Sequence, residues 1–421
     1  MNQFSRKGWF AVVACALATF NSGALFFGYP GIMTPYWREL LRVDAGATGL
    51  IMTFACLGVG CLTLVSGSVH PKIGTCCSFL IGTIILFACM MVSNVIDNIV
   101  LAYVWAFLNG AGTGFIYGPS LATVQHWFPQ RRGLATGIVN LFFGTSAAVM
   151  SPVYSVLLNK LGYRSMNYIV LAMIVVINLL ALMYAELPDR TKLTEEEKKG
   201  RLAILDKMRQ QADAKGPTLA SRDYTVKEAL KTRGFWAVWF AWVFVGAAGI
   251  SMVSQGGNFA TSIALPSVVV ITAFNLTNGI GRIVAGSLSD FIGRNATGCV
   301  AFVMGAVGYA VIPFCRNPIL VAVLAAFVGF AFGTLFAISA PLVSDLFGLK
   351  HYSTIFSLVF VAYGFISAVV GPALVGVLLR VTNEKYTVVF PLFAAFVWPV
   401  YFASYVQDTA KSKGRAKFLT R

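Results

Sequence analysis

The residue best suited to chemistry in this chain is Arg282, which lies in the middle of a long apolar stretch. It is the only charged residue deep inside any apolar stretch of the sequence. An arginine at the centre of a membrane helix costs roughly 3 kcal/mol on insertion scales. The alternative is a structural role, in which Arg282 would pair with a buried acid. However, Asp290 and Asp345 fall at the ends of apolar stretches. Because a guanidinium fork binds a carboxylate through two parallel hydrogen bonds, we predict that Arg282 binds a carboxylate substrate.

Polar and aromatic side chains could complete such a site. Asn275, Asn278 and Arg282 are spaced to share one helical face. Asn278 is one turn before the arginine and is predicted to steer the guanidinium or to contact substrate, with interhelical hydrogen bonding as the alternative. The candidate wall residues, for which plain packing is the alternative, are Tyr117, Phe332, Phe336, Phe360 and Tyr363.

The elements that must position these residues are membrane helices. Hydrophobic residues make up 57% of the chain and charged residues only 11%, whereas soluble domains are about 25% charged. A spanning helix needs about 20 apolar residues. The sequence therefore predicts an all-α protein of the lipid bilayer with twelve spans, at 9–35, 48–69, 73–95, 98–125, 133–159, 164–187, 234–258, 265–290, 295–315, 318–344, 351–380 and 386–407.

The positive charges indicate the orientation of these spans. The net charge of +16 is spread over several loops, which argues against nucleic acid as a partner. With the N-terminus inside, the predicted cytoplasmic segments hold 24 of the 32 Lys and Arg residues and the outer segments hold seven. Because cytoplasmic loops are enriched in positive residues, both termini are predicted to be cytoplasmic, in a cell (inner) membrane.

No pattern in the sequence indicates an enzyme. The three histidines, His70, His126 and His351, are not clustered, and the eight cysteines include no C-x-x-C pair. No metal site, cofactor or catalytic constellation is therefore predicted.

The two halves of the chain resemble each other. Four segments of the first half recur in the second half, in the same order and at nearly constant spacing: 7–12, 66–68, 112–115 and 152–158 match 233–238, 285–287, 333–336 and 372–378. Two parallel six-helix repeats resemble the architecture of the major facilitator superfamily. This predicts an N-terminal bundle at 1–188, a cytoplasmic linker loop at 189–233, a C-terminal bundle at 234–410 and a basic cytoplasmic tail at 411–421.

The loop after the eighth span strengthens this resemblance. Residues 286–294, GSLSDFIGR, match the superfamily's G-x-L-x-D-x-x-G-R loop. The resemblance implies that Gly286, Asp290 and Arg294 form part of an inner gate, held by charge contacts that break as the halves rock. The earlier copy, at 67–75, lacks the acid and the final arginine and is not expected to act in this way.

Two further motifs resemble particular families. Residues 111–118, AGTGFIYG, followed by 127–137, WFPQRRGLATG, resemble the fourth and fifth spans of bacterial oxalate:formate antiporters. The turn from Asn278 to Arg282 is similar to the eighth span of the monocarboxylate transporter family, whose arginine binds the substrate carboxylate. The animal carriers have an aspartate and a lysine where this chain has Asn278 and Gly31. The oxalate carrier has a lysine in its eleventh span, whereas residues 360–365 here contain no cation.

One buried cation matches one carboxylate, so the expected substrate is a small monocarboxylate of the lactate or pyruvate kind. It is expected to bind near the midplane between the halves and to cross by alternating access. Moving the anion against a negative interior costs roughly 2.3 kcal/mol per 100 mV. Coupling to a proton removes this cost, and the family resemblance implies proton symport. Exchange against another anion, as in the oxalate:formate antiporters, is the nearer alternative, and a non-transporting receptor or scaffold is the more distant one.

Overall fold

The described part of the protein consists of helices joined by short loops. The computed structural model describes residues 3–43, 45–129, 131–185, 223–383 and 385–397, and no strand occurs among them. Within this part, ten helices are long and apolar enough to cross a membrane. One of these, Leu50–Ser93, contains two predicted spans, and the twelfth predicted span is described over Tyr386–Val397. The predicted linker up to position 222 and the predicted tail at 411–421 lie outside the described residues.

The first half of the chain forms six long helices and one π-helical turn. In chain order these are α1 (Gln3–Gly23), π1 (Ala24–Gly28), α2 (Tyr29–Leu41), α3 (Ala45–Ser93), α4 (Ile99–Trp127), α5 (Arg132–Leu161) and α6 (Tyr163–Leu182).

The second half begins with a short helix, and its π-helical turn lies in its fifth span rather than in its first. Its elements are α7 (Val226–Leu230), α8 (Arg233–Ser262), α9 (Ser267–Ile292), α10 (Arg294–Val311), a 3-10 turn at Ile312–Phe314, α11 (Pro318–Phe347), α12 (Tyr352–Val361), π2 (Ala362–Ser367), α13 (Ala368–Val381) and α14 (Tyr386–Val397).

Backbone geometry reproduces the internal repeat found in the sequence. The long helix α3 is broken at Gly74, where φ is 77°, and α9 ends at Gly293, where φ is 94°. These two glycines are the penultimate residues of the two loop copies. Two more pairs of positive-φ residues recur with nearly the same spacing along the chain: Arg42 with Ala264, and Gly162 with Asn383. The left-handed conformation is rare for residues with a side chain, so its repetition at matched positions supports two structural repeats.

The described chain divides into two compact units that do not coincide with the sequence halves. The first unit contains the described residues up to 129, those from 138 to 185, and Phe356–Phe365. The second contains residues 131–137, 223–355 and 366–397. The first turns of α5 therefore belong with helices of the second half, and the middle of the eleventh span belongs with helices of the first half.

Glycines allow the close helix pairs within each unit. A Cβ added at Gly110 of α4 would lie 1.9 Å from the carbonyl oxygen of Ala55 in α3. In the other unit, a Cβ at Gly333 of α11 would lie 2.4 Å from the carbonyl oxygen of Asn278 in α9. Because no side chain fits at either contact, the backbones approach directly, as small residues permit in membrane bundles.

Candidate functional site

Arg282 is buried in the second unit. It lies on α9 with 2% of its surface exposed. Its Nη2 donates a long hydrogen bond of 3.4 Å to Oδ1 of Asn278, one turn earlier on the same helix. Asn278, predicted to steer the guanidinium or to contact substrate, therefore lies within hydrogen-bond distance of it.

An aromatic ring lies against this arginine within the same unit. The guanidinium carbon of Arg282 is 4.2 Å from the centroid of Phe336 on α11. Phe336 makes edge contacts with Phe332, at 5.3 Å, and with Trp242 of α8, at 4.8 Å between centroids. Four of the predicted site residues, Asn278, Arg282, Phe332 and Phe336, are thus gathered in one cluster.

The other three predicted wall residues form a second cluster, in the first unit. Tyr117 of α4 lies 5.3 Å from Phe360 of α12, and Phe360 lies 5.2 Å from Tyr363 in π2. The hydroxyl of Tyr117 donates to Oδ1 of Asn140 on α5 at 2.7 Å, and its ring packs against Phe143 at 4.8 Å. This cluster combines apolar rings with two tyrosine hydroxyls and one amide group.

The predicted gate residues meet the first turn of α5. Oδ1 of Asp290 is 2.6 Å from Nη1 of Arg294. The same carboxylate accepts hydrogen bonds from the backbone N–H groups of Gly133, at 3.0 Å, and Leu134, at 2.9 Å. A carboxylate at this position satisfies N–H groups that the helix leaves open and complements its dipole. The third predicted gate residue, Gly286, lies close enough that a Cβ on it would be 2.5 Å from the carbonyl oxygen of Gly133.

Two further residues complete a buried network that we name the charge cluster: Arg132, Asp290, Arg294 and Asp345. Asp345 of α11 binds Arg132 through Oδ1 at 2.8 Å and Arg294 through Oδ2 at 3.1 Å. Arg132 also donates to the hydroxyl of Ser344 at 2.9 Å. Two cations and two anions balance, which makes burial of the charge cluster tolerable.

The equivalent place in the first half carries neutral groups. His70 Nε2 is 3.2 Å from the hydroxyl of Thr75, which is 2.6 Å from the hydroxyl of Thr123. Thr75 is the last residue of the earlier loop copy and so occupies the position of Arg294. The earlier copy of the loop motif is thus joined by hydrogen bonds between neutral partners.

Sequence reasoning missed four residues of these clusters: Arg132, Asn140, Trp242 and Asp345. Arg132 lies next to Arg131 at the start of a span and looks like one more cytoplasmic cation. Asp345 was noted as an acid at a helix end, but nothing local links it to arginines that are distant in the chain. Asn140 could have been identified from the sequence, because an amide inside an apolar stretch needs a hydrogen-bond partner. Trp242 had none, because it is one of several tryptophans in its span.

Comparison with known proteins establishes the family. The sequence model of the Major Facilitator Superfamily matches residues 15–269 and 257–421. The chain therefore belongs to this superfamily and is a multi-pass membrane transporter with its fold.

Several curated relatives are carriers of organic anions by name. The chain is 28% identical to the oxalate:formate antiporter of Oxalobacter formigenes over 286 residues, which span 66% of this chain and 63% of the antiporter. It is 22% identical to monocarboxylate transporter 13 of Rattus norvegicus over 397 residues, or 93% of this chain and 86% of the relative. It is also 28% identical to a phosphoglycerate transporter protein of Salmonella typhimurium, over 35% of this chain and 32% of that protein.

Solved structures share the fold at low identity. The proton:xylose symporter XylE superposes with a TM-score of 0.76 at 11% identity, covering 96% of both chains. The human organic anion transporter MFSD10 superposes with a TM-score of 0.69 at 12% identity, covering 96% of this chain and all of the other.

Proposed function

We propose that this protein is a secondary carrier of small monocarboxylates and that Arg282 binds the substrate carboxylate. The observation that carries this proposal is a guanidinium buried at the middle of a membrane helix, beside an amide and an aromatic face. Holding a cation there is costly, which favours a role in binding an anion. The names of the antiporter and monocarboxylate relatives support the same substrate class.

The expected substrate is an acid with a single carboxylate, such as lactate or pyruvate. Arg282 supplies one fork of donors, and the stretch from Phe360 to Phe365 contains no second cation. A dicarboxylate would leave its second charge facing apolar side chains, at a cost of several kcal/mol. Phe332, which packs against Phe336 beside Arg282, supplies apolar surface suited to a short carbon tail. Tyr117, Phe360 and Tyr363 remain predicted wall residues.

The charge cluster is proposed as the inner gate. It joins the first turn of α5 to α9, α10 and α11 through ion pairs and through two backbone N–H groups bound to Asp290. Passage of substrate on that side requires these contacts to break. The proposed orientation puts the charge cluster, both termini and the linker on the cytoplasmic side of the inner membrane.

We propose that transport is coupled to protons, and exchange for another anion is the second candidate mode. Small carboxylic acids have pKa values near 4, so they cross as anions unless a proton or a counter-anion balances the charge. The resemblance of the turn from Asn278 to Arg282 to the monocarboxylate transporter family favours symport. The oxalate:formate relative supports exchange, as does the amide of Asn278 at a position where the animal carriers have an acid.

Uptake into proteoliposomes tests the proposal and separates the two modes. Purified protein is offered labelled L-lactate, pyruvate, formate and oxalate, into liposomes that are empty or preloaded with the same acid. Symport predicts uptake into empty liposomes that rises when the outside is acidified. Exchange predicts uptake only into preloaded liposomes. Failure to transport any monocarboxylate under either condition contradicts the proposed function.

A further inference from the structure

The guanidinium of Arg282 lies against the face of a phenyl ring, and this contact has a consequence for the type of anion accepted. The 4.2 Å between its carbon and the Phe336 centroid is well within the ~6 Å reach of a cation–π interaction. Both side chains are buried, and removal from water strengthens such contacts. Because a planar guanidinium stacks on aromatic faces, this contact favours an orientation in which the guanidinium plane lies along the ring.

The packing of α11 against α9 brings the Phe336 ring and the Arg282 guanidinium together. Gly333 lets α11 touch α9 at the carbonyl oxygen of Asn278. Phe336 is three residues beyond Gly333, and Arg282 is four residues beyond Asn278, so the next turn of each helix brings the ring and the guanidinium together. A larger residue at 333 would separate the two helices at this level.

Neighbouring rings hold Phe336 in place. Trp242 meets it edge-on at 88° and Phe332 at 89°. The hydroxyl of Ser367 in π2 donates to the carbonyl oxygen of Trp242 at 2.6 Å, which ties this brace to another helix. Phe332 is itself seated on α8, since a Cβ at Gly249 would lie 2.1 Å from its ring.

We propose that Phe336, braced by Trp242, is a positioning residue that fixes the plane of the Arg282 guanidinium and so selects planar carboxylates over tetrahedral oxyanions. This inference rests on the proposed function of Arg282. All N–H groups of a guanidinium point outward in its plane, so a ring on its face consumes none of them. A carboxylate binds edge to edge in that same plane through two parallel hydrogen bonds.

A tetrahedral oxyanion fits this arrangement less well. When two of its oxygens bind in the guanidinium plane, the remaining substituents stand above and below that plane. On the covered side one of these substituents, either an oxygen or the carbon group, approaches Phe336, and an oxygen there meets the negative part of the ring quadrupole. Sulfonates and phosphates are therefore disfavoured by crowding against the ring or by repulsion from it, although they carry the charge that Arg282 attracts.

The positioning role differs from that of a simple apolar wall. A wall residue contacts the carbon tail, so its loss weakens long acids more than short ones. A positioning residue acts through Arg282, so its loss weakens all carboxylates by a similar factor, formate included. The electron density of the ring matters for positioning and not for packing.

The test alters the ring electronics at constant shape. Full-length protein carries 3,4,5-trifluorophenylalanine at position 336, and the control carries it at Phe393, a buried ring between Tyr309 and Phe396. Binding is measured in nanodiscs for formate, L-lactate, pyruvate and the matched pair propionate and ethanesulfonate. We expect the Kd of every carboxylate to rise about three- to tenfold at position 336 and to stay unchanged at position 393. The preference for propionate over ethanesulfonate should fall about threefold or more, and Phe336→Leu should show both effects more strongly.

Each outcome bears on a defined claim. Unchanged Kd values in the fluorinated protein, with binding abolished in Arg282→Ala, overturn the positioning role and leave the proposed function standing. Losses that grow with the length of the acid assign Phe336 to the wall and likewise overturn it. If Arg282→Ala binds the acids as well as the wild type does, or the wild type binds none of them, the proposed function fails and this inference fails with it.

Discussion

Asp345 has a central place in the charge cluster because its two oxygens face two different guanidinium groups. Oδ1 binds Arg132 and Oδ2 binds Arg294, both buried. A carboxylate in this position compensates charge from two helices at once, α5 and α10. Removing one partner from a buried ion pair is costly because the remaining charge stays away from water.

Asp345→Asn is therefore expected to destabilise the protein strongly. The amide keeps the shape but leaves Arg132 and Arg294 with Asp290 as the remaining acid of the charge cluster, at a cost of about 3–5 kcal/mol. Thermal unfolding in detergent measures the effect, with Asp97→Asn in an exposed loop as the control. The double variant Arg132→Met with Asp345→Asn should recover part of the loss, since one cation and one anion remain. An Asp345→Asn protein as stable as the control would show that the charge cluster does not hold these helices together.

At the scale of single residues, the sequence was informative where a charged or polar residue interrupts an apolar stretch. Arg282 could be singled out because a charge inside an apolar stretch is expensive, and Asn278 followed from helical spacing. The ring over the guanidinium could not be predicted, because the contact depends on how far α11 slides along α9. That register is set at Gly329 and Gly333, where the backbones touch. Among many phenylalanines, nothing in the sequence marks Phe336 as the one that lands there.

At the scale of elements, the first turn of α5 requires a glycine at position 133. A Cβ on Gly133 would lie 2.1 Å from the carbonyl oxygen of Gly286 and 2.6 Å from Nη1 of Arg294. The first is backbone and cannot move aside, so the helix would have to shift. The shift would lengthen the two hydrogen bonds to Asp290.

Gly133→Ala is accordingly expected to open the proposed gate without unfolding the protein. The readout is the rate at which a cysteine at Thr136, a fully buried site on α5, reacts with a maleimide in a background without other cysteines. The rate should rise severalfold relative to the parent. Gly376→Ala serves as the matched control, because nothing lies within 4 Å of a Cβ added there. Equal labelling rates in both variants would contradict a gating role for the contact between Gly133 and Gly286.

Most helix positions could be predicted, whereas their irregularities could not. Where the structure describes the ends of the spans, apolar stretches of the right length located them to within about five residues, because the bilayer sets that length. The π-helical turns at Ala24–Gly28 and Ala362–Ser367 leave no trace in an apolar pattern, since one extra residue per turn does not change composition. Such turns are frequent at functional sites, and π2 contains both Tyr363 and the Ser367 that binds Trp242. Gly74 was recognisable only as part of the earlier loop copy. Its φ of 77° marks the break between the two spans that α3 contains.

At the scale of the whole molecule, the two repeats share a backbone plan and differ in charge. Three pairs of positive-φ positions recur between the halves. When the two loop copies are aligned, the equivalents of Arg282 and Arg294 are Thr63 and Thr75. Symmetric packing does not require either arginine, which supports the proposed roles in the second half: Arg282 in binding substrate and Arg294 in holding the gate.

The proposed orientation predicts opposite labelling of two exposed loop positions. A cysteine at Asp97, between α3 and α4, should react with an impermeant thiol reagent in intact cells. A cysteine at Lys350, between α11 and α12, should react only after the cells are permeabilised. Both positions are exposed, so a difference reports their side of the membrane. The reverse pattern would place the charge cluster on the outside and overturn its assignment as an inner gate.

Substitution of Arg282 tests the central claim most directly, with binding and uptake measured in proteoliposomes. Arg282→Ala removes the buried cation, and a charge-assisted hydrogen bond contributes about 1.5–3 kcal/mol. Affinity for the transported acid should fall about tenfold or more, and uptake should largely stop. Arg282→Lys keeps the charge but loses the two parallel donors, so it should bind weakly and transport poorly. Substrate should raise the Tm of the wild type and leave that of Arg282→Ala unchanged. A well-folded Arg282→Ala protein that transports at near the wild-type rate would contradict the account.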